Sequence, residues 1–283
     1  MKFTVNEPQE LFTFLQTILP DCTKTTLRSL LAQKRVLLNN KLVTVAKTAV
    51  NPGQVVEITP KVKKVEGRVK IIYQDRHFIV IDKPAGLLSV STDFEKEDTA
   101  HTLLKKMFYP KKVFVVHRLD QDTSGTMLFA LSEKGVDSLK ILFEKHDITR
   151  KYLAVTEGVM KEDNGTFQSY LFEDENYMVR STNNREKGEL AITHFKRISH
   201  NEQYSLVELT LETGKKNQIR VHLKDAGHPV AGDKKYGARD PLAKRLMLHA
   251  KLLSFAHPVT GKQMIFESPV PKFFFSMTRV KDA

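Results

Sequence analysis

The sequence predicts an α+β protein: a mixed, largely antiparallel sheet with packed helices, preceded by a small N-terminal α/β unit. Three observations predict it. Beyond residue 68, apolar runs of strand length outnumber segments of helical period and do not alternate with them regularly, as a doubly wound parallel sheet would require. The first sixty residues have another texture, two short helices and then a hairpin. Between the two lies "TPKVKKVEGR", a polar, Lys-rich stretch with Pro60 and Gly67 that reads as a linker. The expected division is a small module over 1–60, a linker over 61–68 and a large domain over 69–283.

Each element has its own signal. Leu11, Phe14, Leu15 and Ile18 keep helical spacing, and Leu27, Leu30 and Leu31 continue it in a second helix, with Asp21, Thr23 and Lys24 where its start would be capped. "RVLLNNKLVTV" sets two apolar runs around Asn39 and Asn40, a hairpin turn, and "NPGQVVEI" adds a turn and a strand. In the large domain "VKIIYQDRHFIVIDKP" reads as two strands around a turn and "GTMLFAL" as a third. Ser132 caps a helix with Val136, Leu139, Leu142 and Phe143 on one face. "KYLAVTEG", "AITHFKRIS" and "YSLVELTLETG" are further strands, and "NQIRVHLKDAG" is a helix stopped by Gly227. No fixed-period repeat is visible.

Composition narrows the partners. The 283 residues carry 45 Lys and Arg against 33 acidic residues, a formal charge of +12. A polyanion is the natural partner for such a chain, although the excess serves solubility equally well. The single Cys22 excludes an internal disulfide framework and a cysteine zinc site. No apolar stretch has the length of a membrane span, and "MKFTVNEPQELFTF" lacks a signal-peptide core, so a cytoplasmic protein without membrane partners is expected.

The stretch "HRLDQDTSG", residues 117–125, lies between the apolar runs Val113–Val116 and Thr126–Leu131, and so joins two buried strands. Loops of this kind hold reactive groups on a rigid scaffold. Arg118, two positions from Asp120, is a cation that would keep the carboxylate ionised, and Thr123, Ser124 and Gly125 can fix the turn. Taken alone, either Asp120 or Asp122 could equally be a turn cap. "TGKKNQIRVHL" sets Lys215, Lys216, Arg220 and His222 on a turn and helix whose amino end could hold an anion, and "GHPVAGDKKYG" and "RLMLHA" are further polar loops. Zinc-protease, P-loop, dinucleotide and serine-elbow motifs are absent. Carboxylate, tyrosine hydroxyl and guanidinium remain, a set suited to acid–base or glycosidic-bond chemistry without cofactor or metal.

These stretches, in this order, resemble the RluA-like pseudouridine synthases. "HRLDQDTSG" resembles H-R-L-D-x-x-T-S-G, "IIYQDRHFIVIDKPAGLLS" the opening strand pair with its K-P-x-G-L loop, and "RKYLAVTEG" the K-x-Y-x-A-x-x-x-G strand. "LETGKKNQIRVHL" is similar to L-x-T-G-R-x-H-Q-I-R-x-H, and the match spans about residues 70 to 271. The first sixty residues resemble the small RNA-binding module of ribosomal small-subunit protein four, in which Lys24, Arg28, Lys34 and Arg35 match the basic RNA-facing places.

The resemblance implies the pseudouridine synthase fold and isomerisation of uridine in structured RNA, with ribosomal RNA of the large subunit favoured and tRNA the alternative. The base is flipped out, cut from ribose and rejoined through ring carbon 5, by a monomer that uses no cofactor. Asp120 matches the essential aspartate, acting as nucleophile or base, and Arg220 the arginine paired with it. Tyr152 matches the tyrosine that stacks on uracil and helps remove the ring proton. Arg118 matches the residue that fills the vacated space, and Leu248 the apolar wall. Here Lys215 and Asn217 stand where the family has arginine and histidine, and "SVSTDFEKEDTAHT" lacks the usual V-H-P. Those departures bear on RNA contacts and loop geometry. Two other classes stay open on sequence: a non-catalytic RNA-binding protein with this fold, and a nucleoside or glycoside hydrolase using Asp120 with a second carboxylate.

Overall fold

The computed structural model describes residues 1–20, 22–32, 35–59, 69–91 and 98–279. Asp21, Lys34, the expected linker 61–68 and part of the loop after Leu88 lie outside the described residues. The chain forms two compact units, Met1–Lys63 and Lys64–Ala283.

The first unit runs β1 (Lys2–Thr4), β2 (Gln9–Glu10), α1 (Leu11–Ile18), α2 (Lys24–Ala32), β3 (Val36–Leu38), β4 (Lys41–Leu42), β5 (Ala49–Val50) and β6 (Val55–Ile58). Strands β1, β6, β3 and β4 form an antiparallel sheet in that order, and β2 pairs with β5. Asn39 and Asn40 both take positive φ, 49° and 63°, as a tight hairpin turn demands, and asparagine tolerates this better than other side chains. Thr23 accepts the Thr26 N–H at 3.2 Å and so caps α2. Leu11, Leu15, Leu27, Leu31, Val36 and Val56 close a core between helices and sheet.

The second unit contains β7 (Lys70–Gln74), β8 (Phe78–Lys83), α3 (Ala100–Phe108), β9 (Phe114–Val115), β10 (Ser124–Ala130), α4 (Glu133–Glu144), β11 (Thr149–Glu157), β12 (Asn164–Glu173) and β13 (Val179–Thr182). It continues with β14 (Glu189–His200), β15 (Tyr204–Leu211), α5 (Gln218–Asp225), a 3-10 turn at Lys234–Tyr236, β16 (Leu248–Ala256), β17 (Gln263–Glu267) and α6 (Lys272–Met277). The sheet order is β13-β12-β14-β15-β11-β16-β10-β8-β7, with β17 on β16 and β9 on β10. Neighbours are antiparallel except β10 and β16, which run parallel with Ser124 opposite His249 and Gly125 opposite Ala250. The fold is therefore the mixed, mostly antiparallel α+β arrangement expected. Apolar layers lie on both faces, one around Ile79, Leu104 and Phe129, the other around Phe78, Leu139 and Phe255.

Three local findings differ from the sequence reading. The strand before "HRLDQDTSG" is only the two half-buried residues of β9, because Val116 and His117 turn away from the ladder. Strand β10 starts one residue earlier than the "GTMLFAL" run, at Ser124, which shortens the loop. The sequence reading has no counterpart for helix α3 or strands β12 and β13, although Ala100, Leu103, Leu104, Met107 and Phe108 of α3 keep helical spacing; β12 alternates between exposed and half-buried positions only as far as Ser169, and Leu171 is buried.

Candidate active site

The "HRLDQDTSG" loop is fixed from beneath before it presents any side chain. At Gly125 the chain passes so close to β16 that a Cβ would lie 2.1 Å from the Ala250 carbonyl oxygen, and φ is +115°. Only glycine fits there. Ser124 Oγ accepts from Arg245 Nη2 at 2.6 Å and contacts His249 Nδ1 at 2.9 Å, joining loop to strand through a buried relay. On the other side the fully buried Lys83 donates to the carbonyls of Pro84, Leu87 and Gln121 at 2.8–3.0 Å. Ser89 donates to the Leu119 carbonyl at 2.7 Å and accepts the Leu119 N–H at 3.1 Å. The K-P-x-G-L loop thus serves as a clamp on the loop that carries Asp120.

Above this support lies a cavity of about 580 Å3 lined by Asp120, Tyr152, Arg220, Leu248, Arg118 and Lys215, all six residues singled out for the pocket by sequence. The cation that reaches Asp120 is Arg220, with Nη1 donating to Oδ2 at 2.9 Å. The expected neighbour, Arg118, is exposed at the rim and makes no ion pair with Asp120 among the described residues. A two-residue spacing outside regular structure does not bring side chains together; the close approach comes from α5 instead.

Arg220 is itself held. Its Nε and Nη2 donate to both oxygens of Asp233 at 2.6 and 2.8 Å, a bidentate pair, and its guanidinium lies 4.8 Å from the Tyr236 ring centre. Burial alone would push the Arg220 pKa down; Asp233 and then Asp120 outweigh it and raise the value. Asn217 sits before α5 with φ 54°, accepts from Arg220 Nη1 at 3.0 Å and donates to the Tyr236 hydroxyl at 2.9 Å. That is what the Asn217 departure does here: an amide bridges the arginine and the tyrosine. Lys215 pairs with Glu189 at 2.7 Å on the rim, a surface pair worth about 0–1 kcal/mol and easily exchanged for another anion.

Tyr152 projects from β11 beside a bulge in the β11–β16 ladder. Burial, with Arg150 opposing and Asp120 adding, pushes its hydroxyl up to about 12, so it stays protonated near neutral pH. Leu248, the first residue of β16, is buried and gives the cavity an apolar wall. In the first unit Lys24 and Arg28 are exposed one turn apart on α2, with Arg28 5.5 Å from the Phe12 ring. Arg35 is half-buried and donates Nε to the Thr59 carbonyl at 2.8 Å, so part of its guanidinium braces the backbone.

Sequence reasoning gave no role to Lys83, Asp233, Arg150, Arg245 or His249, and gave Ser124 only a part in fixing the turn. Lys83 and Asp233 stand inside quoted motifs, "DKP" and "AGDKKYG", and that was the signal available; Arg150 begins "RKYLAV". Among the described residues no cluster of His, Cys, Asp and Glu could hold a metal.

The arrangement offers a carboxylate on a rigid loop, a doubly anchored arginine beside it, a protonated tyrosine and an apolar wall. That set can open a glycosidic bond next to a planar base. Comparisons with known proteins agree. The sequence profile of the RNA pseudouridylate synthase family matches residues 77–225, over half of the chain. RNA pseudouridine synthase YhcT of Bacillus subtilis is 33% identical over 96% of this chain and 94% of its own length. Ribosomal large subunit pseudouridine synthase D of Vibrio cholerae is 29% identical over 91% of this chain and 86% of its own. The solved structure of human RNA pseudouridylate synthase domain containing 4 superposes with a TM-score of 0.60 at 25% identity, covering 73% of this chain and 90% of that one. The chain belongs to the RNA pseudouridine synthase family, in its RluA-like branch, and is an isomerase.

Proposed function

We propose that the protein converts specific uridines of large-subunit ribosomal RNA to pseudouridine in the cytoplasm, with Asp120, Tyr152 and Arg220 as its catalytic residues. The observation that carries the reading is the joining of Asp120 to Arg220 at 2.9 Å within one cavity that also holds Tyr152. Relatives named for the ribosomal large subunit favour that RNA, and the formal charge of +12 suits a polyanion.

The steps follow from the parts. A uridine flips out of a loop or bulge, where unstacking costs least, and Arg118 at the rim fills the space it leaves. The base lies against Tyr152 and Leu248. Arg220 occupies Asp120 Oδ2, and Oδ1 accepts no hydrogen bond among the described residues, which leaves it for ribose. That oxygen opens the C1′–N1 bond, by bonding to C1′ or by taking the 2′ proton. The base turns, and C5 bonds to C1′ as Asp120 either leaves C1′ or returns the 2′ proton to C2′; N1 gains a proton and C5 loses one. Lys24, Arg28, Lys34 and Arg35 hold RNA outside the pocket, and the enzyme acts as a monomer without cofactor.

The test is tritium release from ribosomal RNA labelled at uracil carbon 5, with pseudouridine mapping in cells with and without the protein. Wild type should release tritium and Asp120→Asn should not. Full activity of Asp120→Asn would sink the mechanism. Modification of tRNA alone would replace the substrate, and binding without release would leave a binding protein.

A further inference from the structure

Arg220 is claimed by two carboxylates; Arg150, in the same cavity, is claimed by none. Arg150 is 8% exposed, and among the described residues it forms no ion pair. Nη2 donates to the Glu212 carbonyl at 2.8 Å. Nε is buried without an acceptor, whereas Nη1, which has no hydrogen bond among the described residues either, is not sealed in. A fold that keeps an unmet donor on a buried cation points to a ligand that meets it.

Its surroundings identify the ligand. Arg150 and Tyr152 are two residues apart on β11, and the extra residue of the bulge, Lys251, belongs to β16, so both side chains leave the same face. The guanidinium lies 5.9 Å from the Phe143 ring, and Phe143 stacks on His117 at 5.0 Å. His117 Nε2 accepts the Leu128 N–H at 2.8 Å, which makes the ring neutral. Gly214 gives the guanidinium its room: a Cβ there would lie 2.3 Å from Nη1. A phosphate needs several donors and water around it, and the rim cations Arg118 and Lys215 suit it better. This mostly buried recess, lined by Phe143 and the neutral His117, suits the edge of a planar base.

We propose that Arg150 is a further catalytic residue, one that donates Nη1 to a keto oxygen of the target uracil. The inference rests on the synthase reading above. When C1′–N1 breaks, its electron pair goes to the base, giving a uracil anion whose charge is shared by N1, O2 and O4. A fixed guanidinium holds that anion more strongly than neutral uracil, so it acts on turnover more than on binding. The charge is discharged when C5 bonds to C1′, C5 gives its proton to solvent and N1 takes one.

The experiment compares full-length wild type, Arg150→Met and Arg150→Lys on protein-free large-subunit ribosomal RNA. Arg150→Met should lower kcat on the order of a hundredfold or more, with KM nearly unchanged. Its melting temperature should not fall, because an unpaired buried charge is replaced by an apolar stem. Arg150→Lys should recover part of the rate, since lysine keeps the charge without the fork. Full activity, a change in KM alone, or a rate loss that tracks a lowered melting temperature would overturn the proposal.

A second arm needs no turnover. Uracil and inorganic phosphate are titrated separately into isotope-labelled protein while the Arg150 Nε–H resonance is followed, assigned by its loss in Arg150→Met. Uracil should move it and phosphate should not. Movement with phosphate alone, or with neither, overturns the base-edge site. Movement with uracil in a protein that releases no tritium from any RNA would sink the synthase reading and keep the uracil site.

Discussion

Asp120 and Arg220 stand 100 residues apart in the chain and 2.9 Å apart in space, and the bond between them is the weaker of Arg220's two ion pairs. Asp233, with a side chain 2% exposed, takes both Nε and Nη2, whereas Asp120 takes one nitrogen and is 29% exposed. Asp233 therefore places the arginine, and the arginine steadies Asp120. Asp120→Asn should unfold within about 1 kcal/mol of wild type, while turnover falls by about 10²–10⁴-fold or more. Asp233→Asn breaks a buried pair and should cost about 3–5 kcal/mol. Denaturant unfolding and tritium release on the same preparations check both. Equal stability losses in the two variants would contradict this order of dependence.

Gly125 is the tightest point of the supporting loop. Adding one methyl sets it 2.1 Å from the Ala250 carbonyl oxygen, at a φ of +115° that side chains resist. Neither strand can retreat, because β10 is buried between β8 and β16. Gly125→Ala should cost about 4 kcal/mol or more. Soluble yield and thermal melting are the measurements. A variant melting near wild type would mean the β10–β16 contact gives way more easily than the packing implies.

What the sequence made legible is local. The Asn39–Asn40 turn, the Ser132 cap and the Gly227 stop each depend on a few adjacent residues, and the structure has all three. The pairing of Asp120 with Arg220 was legible only through resemblance, since no spacing rule joins residues so far apart. Asp233 and Arg150 were in plain view within quoted stretches, yet their roles depend on burial, which one sequence does not display. Arg118 shows the converse error: proximity in sequence suggested a pair that the loop geometry does not make.

Acid should weaken this fold through its buried histidines. His222 is 3% exposed, with Thr193 Oγ1 at 2.9 Å from Nδ1 and Ser169 Oγ at 3.1 Å from Nε2. Burial, slightly opposed by Asp225, lowers its pKa from 6.5 to about 4. The unfolded chain takes the proton first, so stability should fall as pH drops from 6.5 towards 4, by at most ~3 kcal/mol. His117, lowered to about 3 by burial and then Arg150, adds to the same limb. Asp75, held below its ordinary 3.8, contributes stability that is lost only at lower pH. Unfolding midpoints of wild type and His222→Gln at several pH values test this. The glutamine variant should show a flatter acid limb; parallel limbs would remove His222 as the cause.

The RNA-binding role proposed for the first unit should be separable from the chemistry. Lys24 and Arg28 lie four residues apart on α2, both exposed, and so share one face. If that face meets RNA phosphate, each cation contributes about 0.7–0.9 to the slope of log affinity against log salt. Lys24→Ala with Arg28→Ala should reduce that slope by about 1.4–1.8 and weaken binding most at low salt. Turnover at saturating RNA should stay close to wild type, because Asp120, Tyr152 and Arg220 all belong to the second unit. Arg35 is the contrast: its Nε holds the Thr59 carbonyl, so Arg35→Ala should lower the melting temperature as well as affinity. Filter binding of ribosomal RNA across a salt series gives the slopes. Identical slopes for wild type and the double variant would assign the +12 charge to other surfaces and leave α2 a solvated helix.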